Sequence, residues 1–291
     1  MTSPLQVCVR DAATALGAAG VTSPDHDARA LAVHVLGLRA PGELIAVDRL
    51  SEDQRTAYDD LVARRVARVP LQHLTGSVGF RHIELAVGPG VFVPRPETET
   101  VVQWAVDALA AESLPAPLCV DLCTGSGTIA FALANEVPGA TVHAVECDAD
   151  ALAWTRRNAA LRVRAGDPEV HLHLGSAEDS LPELDGTVDL VASNPPYVAT
   201  GEAHIPDREV VDHDPGVALW GGEDGLDVIR LVERGARRLL RPGGLLVVEH
   251  SDRQGATAPA LLATSGGWTE VADHRDLTGR DRYVTARRAP A

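Results

Sequence analysis

From Pro117 onward, short apolar runs alternate with stretches whose apolar residues recur every three or four positions. Leu118 to Leu122, Thr141 to Val145, Val170 to Leu174, Val188 to Ala192 and Gly244 to Val248 are runs of strand length. Between them, Gly127 to Asn135, Ala149 to Leu161 and Leu226 to Leu240 carry helical spacing. Few folds accept that order. Strands apolar on both sides must be covered on both faces, so the pattern predicts an α/β protein with a mostly parallel sheet between two helical layers. Trp268 to Ala272 and Arg282 to Ala286 read as closing strands. In such sheets a ligand binds at the carboxyl ends of the strands, where the strand order reverses.

Upstream of this region the pattern changes. Residues 1–75 read as helices. Ser23-Pro24-Asp25 looks like a helix start, with a capping hydroxyl, a first-turn proline and an acid at the positive end of the dipole. Leu31, Ala32, Val35 and Leu36 follow at helical spacing, and Gly37 is a stop. A second helix is predicted from Ser51 through Ala67, with Tyr58, Leu61, Val62 and Val66 on its inner face. The charges of Arg64, Arg65 and Arg68 are expected to be solvated and to compensate that helix's C-terminus, with a docking patch as the alternative. From Leu71 to Val93, glycines and β-branched residues predict a hairpin carrying Phe80, Ile83, Leu85 and Val87. Pro94-Arg-Pro-Glu-Thr-Glu99 then opens a helix from Thr98 to Ala111. The expected organisation is a helical domain over 1–75, a hairpin linker over 76–93 and the α/β domain over 94–291.

The 291 residues suffice for one large and one smaller domain. A formal net charge of −15 argues against a general nucleic-acid binder, which needs basic surface to neutralise phosphates. All 26 basic residues are Arg, which with the many alanines reads as the codon usage of a GC-rich genome. Cys8, Cys119, Cys123 and Cys147 lack paired spacing, so no metal site is expected, and Cys119 and Cys123 read as small buried hydrophobes. No basic-then-apolar leader opens the chain, and no apolar run approaches the ~20 residues of a membrane span. A cytoplasmic protein without membrane contact is expected.

Where the first of these strands meets its helix, the chain reads Asp121-Leu-Cys123-Thr124-Gly125-Ser126-Gly127-Thr128. The glycines allow a tight turn and leave room for a ligand. Glu146 ends the next strand, where a carboxylate can accept hydrogen bonds from both hydroxyls of a ribose. Gly125-x-Gly127-x-x-Ala130 also fits the loose dinucleotide pattern. A pyrophosphate, however, would be repelled by Asp121 just before the loop, whereas the sulfonium and amino group of S-adenosylmethionine would be attracted.

After the run Val188 to Ala192 comes Ser193-Asn194-Pro195-Pro196-Tyr197. Asn194 offers a carbonyl acceptor and an NH2 donor, the prolines restrict the chain, and Tyr197 supplies a flat face with a polar tip. This set suits a planar NH2 group conjugated to a carbonyl or a ring, whose nitrogen is a poor nucleophile. The Asn194 carbonyl and the Pro195 backbone carbonyl could accept its two N–H bonds and aim it at a methyl donor.

The sequence resembles the protein-(glutamine-N5) methyltransferases that modify peptide chain release factors. The resemblance is carried by Pro70-Leu-Gln-His-Leu-Thr-Gly76, Phe92-Val-Pro-Arg-Pro-Glu-Thr-Glu99, the Asp121 to Gly127 loop and Ser193 to Tyr197. Asp214-Pro-x-x-Ala-Leu-x-Gly-Gly-x-Asp-Gly-Leu226 and Asp276-Leu-x-Gly-Arg-Asp-Arg282 extend it toward the C-terminus. It implies a Rossmann-like class I methyltransferase fold with a seven-stranded sheet, preceded by a helical domain that helps recognise the release factor and by a linking hairpin. It implies S-adenosyl-L-methionine as cofactor, with Asp121, Cys123, Thr124, Gly125, Ser126, Gly127, Glu146, Ala177 and Asn194 around it. The acceptor would be the glutamine of a Gly-Gly-Gln loop in a class 1 release factor. Asn194, Pro195, Pro196 and Tyr197 would hold it, with Asn194, Pro195 and Tyr197 carrying the catalysis, and Thr98, or Glu97 and Glu99 beside it, would line the cofactor entrance. No nucleic-acid partner is expected, and a monomer is. Glu249-His250-Ser251 departs from the family pattern, and His250 reads as structural. The alternatives are glutamine methylation of a ribosomal protein, adenine amine methylation in nucleic acid, a nicotinamide dehydrogenase and a binding module without activity.

Overall fold

The chain is described by a computed structural model over residues 3–200 and 208–290. It forms two compact units, Met1–Ser77 with Pro206–His213, and Val78–Ile205 with Asp214–Ala291. The first unit opens with α1 (Pro4–Ala18), whose start is fixed by Ser3 and Gln6 capping each other's backbone. Helix α2 (Pro24–Leu36) ends at Gly37, which takes a left-handed φ of 64°. Its Ser23 side chain makes no capping bond, so Pro24 and the first-turn acids Asp25 and Asp27 define the start instead. Helix α3 (Glu52–Val66) is capped by Ser51 and Gln54. The stretch expected to begin a hairpin is first a short helix, α4 (Leu71–Thr75).

Leu16, Leu31, Ala32, Tyr58 and Leu74 form the core of this unit. The Tyr58 hydroxyl donates to the Ala28 carbonyl at 3.0 Å, which satisfies its one buried polar atom. The arginines of α3 are not all solvated, contrary to the sequence expectation. Arg65 is 5 % exposed and bonds Asp27 at 2.7 Å and Glu209 at 2.9 Å, while its neighbour Val66 is exposed. Two carboxylates and the Val69 carbonyl offset the desolvation of the guanidinium, which an apolar-face count cannot register.

In the second unit, β1 (Ser77–Phe80) and β2 (Ile83–Ala86) make a two-stranded sheet. Then follow α5 (Thr98–Glu112), β3 (Leu118–Leu122), α6 (Thr128–Glu136), β4 (Thr141–Glu146), α7 (Ala149–Ala165), β5 (Val170–Leu174) and β6 (Val188–Ser193). The short α8 (Arg208–His213) belongs to the first unit, where Arg65 and Arg68 both reach its Glu209. The chain closes with α9 (Asp227–Leu239), β7 (Leu240–Glu249), α10 (Thr257–Ser265), β8 (Trp268–Arg275) and β9 (Asp281–Arg288).

The large sheet has seven strands in the order β5-β4-β3-β6-β7-β9-β8. All neighbours from β5 to β7 are parallel, and β9 enters antiparallel to both β7 and β8. Alternate residues of the central strands face two cores. Cys119, Val142, Leu190 and Val247 pack with α5 and α6, whereas Val120, Val145, Val191 and Leu246 pack with α9 and α10. Cys119 is therefore a core residue; Cys123 is half-buried in a loop and Cys147 is exposed. Strand β3 pairs with β4 on one side and β6 on the other, so the order reverses there and the ends of β3 and β6 flank one crevice. Among the described residues no helix is long and apolar enough to cross a membrane.

Candidate active site

At the end of β3 the chain turns through Cys123, a non-glycine residue with a positive φ of 62°. The Thr124 N–H is tied to the Val145 carbonyl at 3.0 Å. Gly127 also takes a positive φ, 88°, and a Cβ there would lie 2.1 Å from the Phe131 ring. Glycine is thus required by backbone and space together. Helix α7 braces the turn from below: Thr155 donates to the Gly125 carbonyl at 2.6 Å and Asn158 to the Ser126 carbonyl at 2.9 Å. Asn158 also exchanges two bonds with Ala86, joining the hairpin to the loop.

Asp121 and Glu146 hold this loop from within. Asp121 Oδ2 accepts from the Thr124 hydroxyl at 2.5 Å and the Ala130 N–H at 3.1 Å. Its Oδ1 is buried with no hydrogen-bond partner among the described residues, and burial pushes the carboxyl up to about 7. A group that brings N–H donors and positive charge would satisfy that oxygen, and the amino group of S-adenosylmethionine would be such a group. Glu146 Oε2 accepts from the Gly125 N–H at 2.8 Å and Oε1 from the Asp148 N–H at 2.9 Å. Each carboxylate oxygen keeps a further acceptor direction, which suits a pair of hydroxyls. The residues present therefore fit such a cofactor. Ala177 lies in the turn after β5, buried in the core that includes Val145 and Leu181.

Across the crevice, Ser193 ends β6 and donates to the Leu122 carbonyl at 2.6 Å, which stitches the ends of β6 and β3 together. Asn194 follows, half-buried, with its Nδ2 donating to Thr98 Oγ1 at 3.2 Å. Thr98 is the buried first residue of α5, so the helix opened by Pro94-Arg-Pro-Glu-Thr-Glu99 delivers a side chain directly to this motif. Pro195 is buried, Pro196 and Tyr197 are half-buried, and the Tyr197 hydroxyl donates to Glu249 Oε1 at 3.3 Å.

The segment Asp214 to Leu226 clamps the backbone beyond the motif. The Val198 N–H reaches the Leu219 carbonyl at 2.9 Å, and the Gly221 N–H returns to the Val198 carbonyl at 2.9 Å. Gly225 has a φ of 74°, and a Cβ there would stand 2.4 Å from the Tyr197 carbonyl oxygen. Gln254 Nε2 caps that same carbonyl at 3.3 Å. Arg95 joins Asp214 at 2.9 Å, and Arg282 is held by Asp276 at 3.2 Å while standing close to Glu249 and Tyr197. His250 is fully buried between Asp273 and the Ser251 carbonyl, each at 2.8 Å.

Cys123 to Gly127 and Glu146 thus stand on one side of the switch point and Asn194 to Tyr197 on the other. Sequence reasoning did not find the support these side chains receive. Thr155, Asn158 and Gln254 carry no local signal, and Glu249 and Gly225, though they lie in stretches singled out above, show nothing of their partners, since each acts on a residue distant in sequence.

The family profile of the PrmC N-terminal domain matches residues 8–76, and that of a methyltransferase domain matches residues 118–285. A release factor glutamine methyltransferase of Streptomyces coelicolor is 53 % identical, covering 97 % of this chain and 97 % of that protein. A 4-amino-L-phenylalanine/4-methylamino-L-phenylalanine methyltransferase of Streptomyces pristinaespiralis is 40 % identical, covering 93 % of this chain and 90 % of that protein. Among solved structures, the Thermus thermophilus 16S rRNA N2 G1207 methyltransferase superposes with a TM-score of 0.52 at 21 % identity. It covers 73 % of this chain and 49 % of that one, a likeness of fold. The geometry at the two strand ends and the identity along the whole chain lead to one family: this protein is a member of the release factor glutamine methyltransferases.

Proposed function

We propose that this protein methylates the side-chain amide nitrogen, N5, of the glutamine in the Gly-Gly-Gln loop of class 1 peptide chain release factors. The observation that carries the reading is Asn194, held by Thr98 at the switch point across from the glycine loop. Its match in whole-chain identity to a release factor methyltransferase supports the substrate. S-adenosyl-L-methionine supplies an electrophilic methyl group on a sulfonium. Asp121 would meet its amino group, Glu146 its ribose, Cys123 to Gly127 its flank and Ala177 its adenine.

The residues of the amide side do the rest by position. Asn194 Oδ1 and the Pro195 carbonyl would accept the two N–H bonds of the glutamine amide and aim the nitrogen along the transfer axis. Accepting both hydrogens favours the pyramidal nitrogen of the transition state over the planar amide, which is differential stabilisation rather than simple binding. Pro196 and the Tyr197 ring would wall the amide, with the ring fixed through Glu249. No residue must remove a proton before attack, because the nitrogen loses it after transfer. The helical unit would contribute recognition of the release factor. The enzyme would act as a monomer in the cytoplasm, where its substrate is made.

The test is mass spectrometry of an unmethylated release factor incubated with the protein and S-adenosylmethionine. One added methyl on the Gly-Gly-Gln glutamine is expected. The arylamine relative motivates a second reading, since an amine on an aromatic ring is also a planar, conjugated NH2. Methylation of free 4-amino-phenylalanine, with the release factor untouched, would select that reading. Methylation of a ribosomal protein alone would keep the amide chemistry and replace the substrate.

A further inference from the structure

Two consecutive prolines leave the middle of the amide motif without backbone donors. Neither Pro195 nor Pro196 has an N–H, so this stretch cannot be pinned by donating hydrogen bonds and must be held at its ends. The near end is fixed by Ser193, which donates to the Leu122 carbonyl at 2.6 Å, and by Asn194 against Thr98 at 3.2 Å. At the far end stands the Tyr197 carbonyl, and its partner is the side chain of Gln254, which is 6 % exposed. Gln254 Nε2 donates to the Tyr197 carbonyl at 3.3 Å and to the Asp224 carbonyl at 3.4 Å. Its Oε1 accepts from the Ser251 N–H at 2.9 Å.

We propose that Gln254 is a positioning residue for methyl transfer, holding the far end of the Asn194 to Tyr197 motif in place through the Tyr197 and Asp224 carbonyls. The inference rests on the amide-acceptor reading above, in which the Pro195 carbonyl receives one N–H of the glutamine. A primary amide can be turned end for end without changing its shape, but its surroundings here allow one orientation. The Ser251 N–H can only donate and the two carbonyls can only accept, so Oε1 must face the first and Nε2 the others. One buried side chain thereby ties the motif to the segment Asp214 to Leu226. The backbone is shaped to admit it. Gly225 has a φ of 74°, and a Cβ there would stand 2.4 Å from the Tyr197 carbonyl oxygen and 2.7 Å from Gln254 Nε2. Any side chain at Gly225 would intrude on this hydrogen bond.

Gln254 is itself held. Its N–H returns to the Ser251 carbonyl at 2.8 Å and closes a turn. His250 Nδ1 donates to the same carbonyl at 2.8 Å, and its Nε2 faces Asp273 on β8 at 2.8 Å. The His250 backbone N–H bonds the Arg282 carbonyl on β9, also at 2.8 Å. His250 thus fastens the turn to the antiparallel end of the sheet. The amide motif is steadied from β8 and β9, strands that carry none of the residues assigned to the cofactor or the glutamine.

Gln254→Met fills similar space with none of these hydrogen bonds. It is expected to lower kcat for release factor methylation roughly a hundredfold, the scale of a misplaced reacting group. KM for the release factor and affinity for S-adenosylhomocysteine should stay near wild type. Full kcat in Gln254→Met would mean that packing alone is needed there and overturns the proposal, as does an equal loss of kcat and cofactor affinity. Should that variant fail to fold, the anchor decides. His250→Leu should lower kcat about tenfold, the scale of one lost hydrogen bond. His250→Asn, whose amide nitrogen can stand in for Nδ1, should recover most of that. Wild-type kcat in His250→Leu overturns the proposal. A wild-type enzyme silent on release factor would instead refute the functional reading. The positioning role would then be decided without substrate by hydrogen exchange at the Val198 and Gly221 N–H groups, which bond the Leu219 and Val198 carbonyls. Faster exchange at both in Gln254→Met, with the glycine-loop amides unchanged, supports it, and unchanged exchange at both rejects it.

Discussion

The two sides of the crevice are built by different means. On the glycine-loop side, Asp121 bonds residues three and nine positions away, and Glu146 bonds residues two and twenty-one positions away. On the amide side, Asn194 depends on a residue 96 positions away, Tyr197 on one 52 away and the Tyr197 carbonyl on one 57 away. The two carboxylates of the first side act within one strand–helix–strand segment, and α7 braces their loop from 30 and 32 positions away. The second is assembled only when α5, β7 and the segment around Gln254 are all in place. Cofactor affinity should therefore be locally encoded, and transfer should answer to changes far from the reacting atoms.

Three measurements would break or sharpen that contrast. The largest effect is expected from Asn194→Ala, which removes the acceptor proposed for the glutamine amide. Transfer should fall by about a thousandfold, the upper range for loss of one catalytic hydrogen bond, with S-adenosylhomocysteine affinity by calorimetry largely kept. Comparable losses of affinity and transfer would mean that the two sides are not separable.

Next comes Glu146→Ala. Losing charge-assisted hydrogen bonds should weaken cofactor affinity by about 1.5–3 kcal/mol while leaving the release factor's KM unchanged. Unchanged cofactor affinity would remove Glu146 from the ribose.

The smallest effect concerns pH. The Asp121 carboxyl is raised from 3.8 to about 7, so between those values the folded chain holds a proton that the unfolded chain has released. The stability that comes from that proton is complete below 3.8 and is lost as pH rises through about 7. Without cofactor, Asp121→Asn should melt above wild type at pH 8, by about 1–3 kcal/mol, and the gap should close toward pH 4. A constant gap across that range would mean that the shift is not due to burial of charge.

The same contrast governs what was legible in the sequence. The strands were readable because β3, β4, β6 and β7 are buried on both faces and show it as continuous apolar runs. The glycine loop was readable because the backbone demands Gly127 at its own position. Glu249 was read only as part of Glu249-His250-Ser251, just past the strand Gly244 to Val248, because nothing near it in sequence reports Tyr197. The contact between Thr98 and Asn194, 96 positions apart, likewise left no mark in either motif. Arg65 was misread for a related reason: its partners Asp27 and Glu209 lie on other helices, so apolar periodicity gave the buried position to Val66 instead. Helices α8 and α10 were not foreseen, being short and without a strong apolar repeat.

Helix α8 has a consequence for anyone who wishes to dissect or recombine this protein. The chain leaves the methyltransferase unit after β6, contributes α8 to the helical unit, and returns at Asp214. A single cut at Ser77 would not divide the protein into two parts. It would strand Arg65 and Arg68 on one fragment and their carboxylate, Glu209, on the other. Swapping the helical unit between relatives would thus mean trading two separate stretches of gene, and the second of them follows the motif proposed to hold the amide.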